Sequence, residues 1–232
     1  SERRRFLDAE LCQLDRVYMS NLANYNKVVM QRNRLLKELE FHADYMDTLQ
    51  VWDMQLVRYG REVIRRRQEF VRELEEVIRE IHGTITGGKE ELFLSYEPSV
   101  TEEAFEEELA KNRSRDLRAR ATLTGPHRDD LAFMLGNIDI RIFGSQGQQR
   151  TAALSLKLSE IEIVHRRLGD YPVLLLDDVL SELDSSRQEK LLDSICHVQT
   201  LLTCTGVDEF VKNRFPVNQI FRVSQGTVIR EN

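Results

Sequence analysis

Two adjacent carboxylates, Asp177 and Asp178, follow a short apolar run from Val173 to Leu176. A continuous apolar run of this length is typical of a strand that is buried on both faces of a sheet. Buried strands rarely end in paired acids unless the acids serve a cation or a reaction, because burying an unpaired charge is unfavourable. In nucleotide hydrolases, the first acid binds Mg²⁺ and the second polarises the attacking water. The alternative is a pair of solvated acids that cap a helix or form a loop.

A turn rich in Ser, Gly and Gln, from Gly144 to Arg150, precedes this run. Beyond Thr151, apolar residues recur at the spacing of a helix: Leu154, Leu158, Ile161 and Val164. The first N–H groups of a helix are unpaired, and the helix dipole is positive there. A serine hydroxyl and glycine N–H groups in that position form an anion receptor, most often for phosphate. The alternative is an ordinary Ser/Gly helix cap, and the turn alone does not decide between the two.

The stretch from Ser181 to Asp184 lies just after the acids and before a helix that starts near Ser185. On its own, it is a capping turn for that helix. When it follows the Ser/Gly/Gln turn and the acid pair in this order, the stretch is a much more specific indication of a nucleotide site than of an ordinary capping turn.

The combination resembles the RecF family of ABC/SMC-type head ATPases. Phe143 to Glu160, FGSQGQQRTAALSLKLSE, resembles the family's signature motif, and Pro172 to Asp184 resembles its Walker B motif and D-loop. Three further stretches resemble family blocks: Gly125 to Leu131, Arg4 to Asp8 and Gln31 to Leu36. The resemblance covers nearly the whole chain. It implies an α/β fold with a helical arm: the second lobe of an ABC/SMC-like ATPase head, with parallel strands flanked by helices, joined to antiparallel long helices.

The resemblance also implies an ATP-dependent homodimer that hydrolyses ATP slowly. Asp177 would bind the Mg²⁺ that accompanies ATP, and Asp178 would position water as the catalytic residue. Residues of a second subunit would close on the γ-phosphate from the signature loop and the D-loop: Ser145, Gln146, Gly147, Gln148 and Asp184.

Family membership further implies partners and a cellular role. RecF proteins bind duplex DNA near single-strand gaps and, with RecR and RecO, help to load the RecA recombinase. The implied function is that of an ATP-dependent mediator of recombination in gap repair. The alternative is a non-enzymatic module of an SMC-like repair protein that binds DNA or a partner through its helical arm.

A nucleotide site of this class also needs a phosphate loop. Gly83 to Glu90 nearly fits the pattern G-x-x-x-x-G-K-[ST], but a carboxylate replaces the final hydroxyl. The stretch also follows a helix and leads into a strand, Leu92 to Tyr96, whereas a phosphate loop joins a strand to a helix. We therefore interpret it as a connecting loop. The chain is predicted to be a C-terminal portion without the phosphate-loop lobe, with an arm at 1–120 and a head lobe at 121–232, and to be inactive alone.

Composition narrows the class of protein. The 232 residues carry a net charge of −6 and 31% charged residues, which favours a folded, helix-rich protein over a uniformly basic nucleic-acid binder. The three cysteines lack metal-ligand spacing and predict no disulfide framework: Cys12, Cys196 and Cys204. No apolar run approaches the length that spans a bilayer, and the first residues are not a signal peptide. A cytoplasmic location fits best.

Two long helices are predicted in the arm. One runs from about residue 8 to 40, and the second opens with a capping box at Asp47 and Gln50 and closes at Gly83. The second carries an Arg cluster with two interpretations: Arg65, Arg66 and Arg67. Interleaved glutamates favour a solvated, salt-bridged face, while the alternative is contact with DNA phosphates.

The remaining pattern predicts a helix from Thr101 to about Arg120 and a hairpin at 131–143 that turns at Gly136 and Asn137. A second buried strand is predicted at 200–203, Asp208 should cap a short helix, and a last hairpin is expected at 220–229. Two roles stay open. His127 is more often structural than catalytic, with Arg128 a better candidate for contact with nucleotide or a dimer partner, and Cys204 or Thr205 stands where ABC-type ATPases place a phosphate-sensing His.

Overall fold

The computed structural model describes residues 1–39, 46–204 and 217–231, without the side chains of 181 and 182. Seven helices are described: α1 (Glu2–Leu14), α2 (Arg16–Glu38), α3 (Met46–Thr86), α4 (Phe105–Ala119), α5 (Ile140–Phe143), α6 (Gln146–Leu168) and α7 (Ser185–Ile195). Seven strands accompany them in the same ranges: β1 (Leu92–Glu97), β2 (Asp130–Leu135), β3 (Ile138–Asp139), β4 (Leu174–Asp177), β5 (Thr200–Thr203), β6 (Ile220–Ser224) and β7 (Thr227–Glu231).

The first predicted helix is two helices, because Asp15 interrupts it. Asp15 has an extended backbone, and its carboxylate accepts hydrogen bonds from the N–H groups of Val17 and Tyr18 at 2.8 and 3.0 Å. This is the geometry of a helix N-cap. The prediction of one continuous helix over 8–40 was therefore wrong, because apolar periodicity continues across the break while the cap restarts the backbone.

Helices α2 and α3 pack antiparallel, as predicted. Tyr18 near the start of α2 contacts Arg67 of α3, and Arg32 near the end of α2 contacts Asp53. Pairs whose numbers run in opposite directions define an antiparallel arrangement. The cluster of buried apolar residues along α3, including Leu56, is the main core of the molecule.

Both predicted ends of α3 need correction. The helix already includes Met46, so Asp47 lies within its first turn. It also continues past Gly83 to Thr86, and the chain turns at Gly87 and Gly88, where φ is 67° and 73°. Positive φ favours glycine, so the turn falls where two glycines can adopt it.

One antiparallel sheet joins β1, β2 and β3 in that order, with Leu92 opposite Leu135 and Glu97 opposite Asp130. The predicted hairpin exists, but its second strand stops at Asp139. Asp139 accepts a hydrogen bond from the N–H of Arg141 and caps the short helix α5. The prediction of a strand as far as Phe143 was therefore wrong.

A second, parallel sheet contains β4 and β5. Leu176 of β4 is buried against apolar residues of α6 and α7, but the opposite face is open. Leu175 is 71% exposed, Leu201 is 55% exposed and Val173 is 54% exposed. The prediction that β4 and β5 are buried on both faces is wrong for the chain as the structure describes it, since only one face is packed.

The main core extends across the predicted boundary between arm and head. It contains Leu131, Phe133, Ile140 and Ile163 together with residues of the first four helices. The division into 1–120 and 121–232 remains a prediction. The hairpin of β6 and β7 forms near the predicted positions, whereas the helix predicted at Asp208 lies outside the described residues. No helix within residues 1–39, 46–204 and 217–231 is long and apolar enough to cross a bilayer.

Candidate functional site

The Ser/Gly/Gln turn is both a cap and an open helix end. Ser145 is the N-cap of α6: its hydroxyl oxygen accepts from the N–H of Gln148 at 3.3 Å, and the Gln148 amide oxygen accepts from the N–H of Ser145 at 2.9 Å. The helix therefore begins at Gln146, earlier than Thr151. Helix geometry gives the N–H groups of Gln146 and Gly147 no intrahelical acceptor. Ser145, Gln146 and Gly147 are all exposed, so an anion can reach this end of a 23-residue helix.

The two glycines of the loop, Gly144 and Gly147, differ in the space around them. A Cβ at Gly144 would lie 2.5 Å from the carbonyl oxygen of Ile140, so a side chain there would displace α5. The space above Gly147 is open. A Cβ at this position would lie 3.8 Å from Nη1 of Arg187 and 4.0 Å from the hydroxyl oxygen of Ser145.

Arg187 is a functional candidate that sequence reasoning missed. It lies in the first turn of α7, whose N-cap is Asp184. The Asp184 carboxylate accepts from the N–H of Arg187 at 3.1 Å and lies 3.5 Å from its guanidinium. The structure thus brings Asp184 close to the signature loop through Arg187. The available signal was a cation three residues after a capping acid, which is too common to be informative alone.

Gln148 takes a different place from the one predicted. Its side-chain amide oxygen binds the N–H of Ser145, and its amide nitrogen donates to Glu90 at 2.9 Å. The side chain is half-buried and bonded within the chain. Gln148 therefore supports the loop, while the hydroxyl of Ser145 and the N–H groups of Gln146 and Gly147 face outward.

The acid pair lies at the carboxyl end of β4. Asp177 accepts a hydrogen bond from the hydroxyl of Thr203, its neighbour on β5. Asp178 has φ 52° and ψ 21°, and its N–H donates to the carbonyl and hydroxyl oxygens of Thr203 at 3.2 and 3.1 Å. A left-handed backbone is uncommon outside glycine, although Asp tolerates it better than most residues. This turn ends the strand and directs the chain toward Asp184.

The residues at this strand end fit a hydrated magnesium ion that also binds phosphate. Mg²⁺ in nucleotide sites uses one or two protein oxygens and completes its octahedron with water and phosphate oxygens. Asp177 and Asp178 are exposed and the hydroxyl of Thr203 adjoins them, so oxygen ligands are available. Within the described ranges, no group of three or more His, Cys, Asp or Glu side chains could hold a metal ion by itself.

The position after β5 is only partly described. Cys204 follows the strand and is half-buried, whereas Thr205 lies outside the described residues. The assignment of a phosphate sensor to either residue stays a prediction.

His127 is a structural residue with a defined tautomer. Its Nε2 lies 2.9 Å from the carbonyl oxygen of Thr122 and must donate, so Nδ1 accepts from the hydroxyl of Tyr25 at 2.7 Å. Burial lowers the pKa of His127, and the neutral ring uses both nitrogens in these bonds. Arg128, in contrast, is exposed and stays a candidate for contact with a ligand or partner.

The Arg cluster on α3 separates into two kinds of residue. Arg67 is 1% exposed and bonds to Asp8, Asp129 and the carbonyl oxygen of Pro126. Because its guanidinium is inside the protein, the expectation that Arg67 contacts DNA is corrected. Arg65 and Arg66 are half-exposed and pair with Glu62 and Glu69 of the same helix, and Arg66 also lies 3.5 Å from Asp15.

Comparisons with known proteins find relatives over nearly the whole chain. A DNA replication and repair protein RecF from Agathobacter rectalis is 60% identical over 228 residues, covering 98% of this chain and 63% of that protein. The RecF of Clostridium kluyveri is 44% identical over 233 residues, covering 98% of this chain and 64% of that protein. The chain therefore spans less than two thirds of the length of these curated relatives.

Comparison with solved structures also finds RecF, together with a more distant head domain of the same fold. A structure of the recombination mediator protein RecF with ATP, from the RecFOR pathway, has a TM-score of 0.86 and 33% identity, covering all of this chain and 63% of that one. The Smc head domain of Pyrococcus furiosus, with an extended coiled coil, has a TM-score of 0.52 and 13% identity over 99% of this chain and 57% of that one, which shows a shared fold. The expected ABC/SMC-like head fold is thus confirmed. No family model matches the chain.

Proposed function

The chain belongs to the RecF family, and from this premise we propose that it supplies two catalytic surfaces of an ATP-dependent recombination and repair protein. One surface is the signature loop at Ser145, with Arg187 beside it. The other is the acid pair at the end of β4. The observation that carries the proposal is the loop itself: an exposed serine cap and two outward N–H groups lie beside a guanidinium.

The signature loop has the chemistry of a receptor for a triphosphate end. Ser145 uses its oxygen to accept from Gln148, which leaves the hydroxyl hydrogen to donate to a phosphate oxygen. The N–H groups of Gln146 and Gly147 and the charge of Arg187 add three further favourable interactions with an anion. We propose that this loop contacts the γ-phosphate of ATP held by a second copy of the protein.

The acid pair has the chemistry of a magnesium and water site. Asp177 would bind the Mg²⁺ that accompanies ATP, and the ion would stabilise charge on the phosphates. Asp178, whose left-handed backbone ends the strand, would orient the attacking water. Both roles require a phosphate loop, and Gly83 to Glu90 does not provide one because it joins a helix to a strand.

The open face of the β4–β5 sheet supports the same arrangement. Its exposed apolar residues, Val173, Leu175 and Leu201, form a surface that soluble proteins normally cover. The family proteins are longer than this chain, and we propose that the phosphate-loop lobe of the full-length protein packs on this face.

We further propose an ATP-dependent homodimer that acts on duplex or gapped DNA with RecR and RecO and so helps RecA to load. The RecFOR pathway of the structural neighbour supports the RecR and RecO part. For DNA, Arg65 and Arg66 are the remaining candidates on α3, since both reach solvent.

The test separates the cap from phosphate binding at Ser145. In a full-length RecF protein with these residues, Ser145→Asn and Ser145→Asp both keep a good N-cap, but Asp places a negative charge where the phosphate should bind. We expect sedimentation with Mg-ATP to show dimers for Ser145→Asn and monomers for Ser145→Asp. Normal dimers in both variants would contradict the proposal and favour a non-enzymatic interaction module.

A further inference from the structure

Glu90 lies against the signature loop although it comes from the connection between α3 and β1. Its Oε1 accepts from the amide nitrogen of Gln148 at 2.9 Å, and the amide oxygen of Gln148 accepts from the N–H of Ser145 at 2.9 Å. A chain of two hydrogen bonds therefore joins Glu90 to the backbone of the phosphate-binding serine.

A histidine lies behind this carboxylate. His82 of α3 is fully buried, and its Nδ1 lies 2.9 Å from the hydroxyl oxygen of Ser155. That hydroxyl donates its hydrogen to the carbonyl oxygen of Thr151 at 2.8 Å, so Nδ1 of His82 is the donor to Ser155. Burial lowers the pKa of His82 against the opposing charge of Glu90, which favours a neutral ring with a lone pair on Nε2.

Two acceptors consequently face each other under the loop. Nε2 of His82 and Oε2 of Glu90 are 3.7 Å apart, and neither has a hydrogen-bond partner within the described part of the chain. Among the described residues, the Glu90 side chain accepts a hydrogen bond from the side-chain amide of Gln148. Loss of this bond would leave the half-buried Glu90 carboxylate without a donor among the described residues, which is unfavourable.

The contact fixes the orientation of the Gln148 amide. Rotating the amide by half a turn would place its oxygen against the Glu90 carboxylate and its nitrogen against the N–H of Ser145. Both new contacts are repulsive, so a hydrogen-bond acceptor at Glu90 selects the orientation in which Gln148 accepts from Ser145.

We propose that Glu90 is a positioning residue for the phosphate-binding loop. Through Gln148, it holds the backbone of Ser145 so that the serine hydroxyl and the first N–H groups of α6 face a phosphate. The proposal rests on the proposed function of that loop. It also gives a role to the stretch Gly83 to Glu90, whose resemblance to a phosphate loop is misleading: it supports a phosphate site in place of forming one.

The first test uses this chain and no nucleotide. Nuclear magnetic resonance would follow the side-chain amide of Gln148 and the N–H of Ser145 in three variants. Glu90→Ala should remove the hydrogen-bonded shifts and the exchange protection of both groups. Glu90→Gln should keep them, because its amide oxygen can still accept from Gln148. The matched control is Glu91→Ala, since Glu91 is exposed and pairs with Arg79. Unchanged signals in Glu90→Ala would overturn the proposal.

The second test measures ATP-dependent dimerisation of the full-length protein. Glu90→Ala should raise the ATP concentration for half-maximal dimerisation on the order of tenfold, as expected for the loss of one charge-assisted hydrogen bond. Glu90→Gln should restore it to within about twofold of the parent, because its amide oxygen can still accept from Gln148. Failure of this rescue would show that Glu90 acts through its charge and not as an acceptor for Gln148.

The two proposals fail in different ways. If Ser145→Asp dimerises normally, the phosphate role of the loop is wrong. If Ser145→Asp abolishes dimers while Glu90→Ala behaves like the parent, the loop keeps its role and only the positioning by Glu90 is wrong.

Discussion

The interior around Arg67 and the sheet of β4 and β5 differ in opposite ways from an ordinary protein core and surface: the first buries a charge, and the second exposes apolar side chains. Arg67 brings a charge into the core and meets partners from two other segments within hydrogen-bond distance, Asp8 of α1 and the turn that contains Pro126 and Asp129. The β4–β5 sheet does the reverse, since it leaves Leu175 71% exposed. The first region is complete within this chain. The second has an apolar face that no described residue covers, as expected for a surface that meets another part of a longer protein.

The largest loss of stability should come from removing the buried guanidinium of Arg67. Arg67→Ala leaves Asp129, which is 2% exposed, without its guanidinium, and removing one partner of a buried ion pair destabilises by about 3–5 kcal/mol. Urea denaturation of this chain checks the value. Arg66→Ala is the control, because Arg66 is half-exposed. A loss below about 1 kcal/mol, the range of a surface pair, would show that the interior does not depend on this charge.

Two neighbouring leucines on β4 allow the packed and the open face of the sheet to be compared, since Leu176 is buried and Leu175 is exposed. Leu176→Ala should lower the free energy of unfolding by about 2–4 kcal/mol, because Leu176 is buried among Leu158, Leu191 and other apolar side chains. Leu175→Ala should change it by less than about 0.5 kcal/mol in this chain.

In the full-length protein, Leu175→Ala should become as destabilising as other core truncations, since we expect the phosphate-loop lobe to cover it. The same denaturation experiment on both lengths decides the point. A small effect of Leu175→Ala in the full-length protein would mean that this face stays open.

A carboxyl pair, Glu10 of α1 and Glu160 of α6, makes the stability of the chain depend on pH. Burial, followed by the charge of Glu10, raises the pKa of Glu160 to about 7 from an ordinary value of 4.5. The native state therefore binds this proton more tightly than the unfolded chain. The stability it contributes is complete below about pH 4.5 and is lost as the pH rises through about 7.

Glu160→Gln should consequently be more stable than the parent chain at pH 8 by roughly 1–3 kcal/mol and similar to it near pH 4.5. Denaturation at a series of pH values measures the difference. Glu162→Gln is the control, because Glu162 pairs with Arg166 near the surface. An equal gain at both pH values would contradict the titration of Glu160.

The smallest effect on stability is expected at Arg65 and Arg66, where the readout is DNA. Replacing both with Gln should change the free energy of unfolding by no more than about 1 kcal/mol, as for other exposed ion pairs. If they bind phosphates, the slope of duplex affinity against salt should fall by about two, one for each lost contact. An unchanged slope would mean that Arg65 and Arg66 do not contact DNA phosphates and that this face of α3 is solvated.

Local sequence patterns predicted much of the fold. The spacing of apolar residues gave the long helices and their antiparallel packing, and the run before Asp177 gave β4 at nearly its observed position. The positions at which helices end or are interrupted were harder to predict from the sequence. Asp15 divides a continuous apolar stripe because its carboxylate caps a new helix, and Gly83 looked like a helix end although the turn falls at Gly87 and Gly88.

The residues assigned to the candidate site stay a prediction, and the residues that support its loop were missed. Ser145 and the acid pair follow from type and order along the chain. Arg187 and Glu90 do not, because each reaches the loop from a segment distant in sequence, through contacts that only the fold creates. The burial of Arg67 was missed for the same reason: its partner Asp129 is 62 residues away, while nearby glutamates suggested a surface.

In the mechanism that we propose, the signature loop and the acid pair act from opposite subunits on one ATP. Mixing two inactive full-length variants, Ser145→Asp and Asp178→Asn, tests it by ATP turnover. In a mixed dimer, the intact Asp178 of one subunit faces the intact Ser145 of the other, so we expect phosphate release well above that of either variant alone. If the mixture stays as inactive as its components, the two groups do not form a site across the dimer, and the account is wrong.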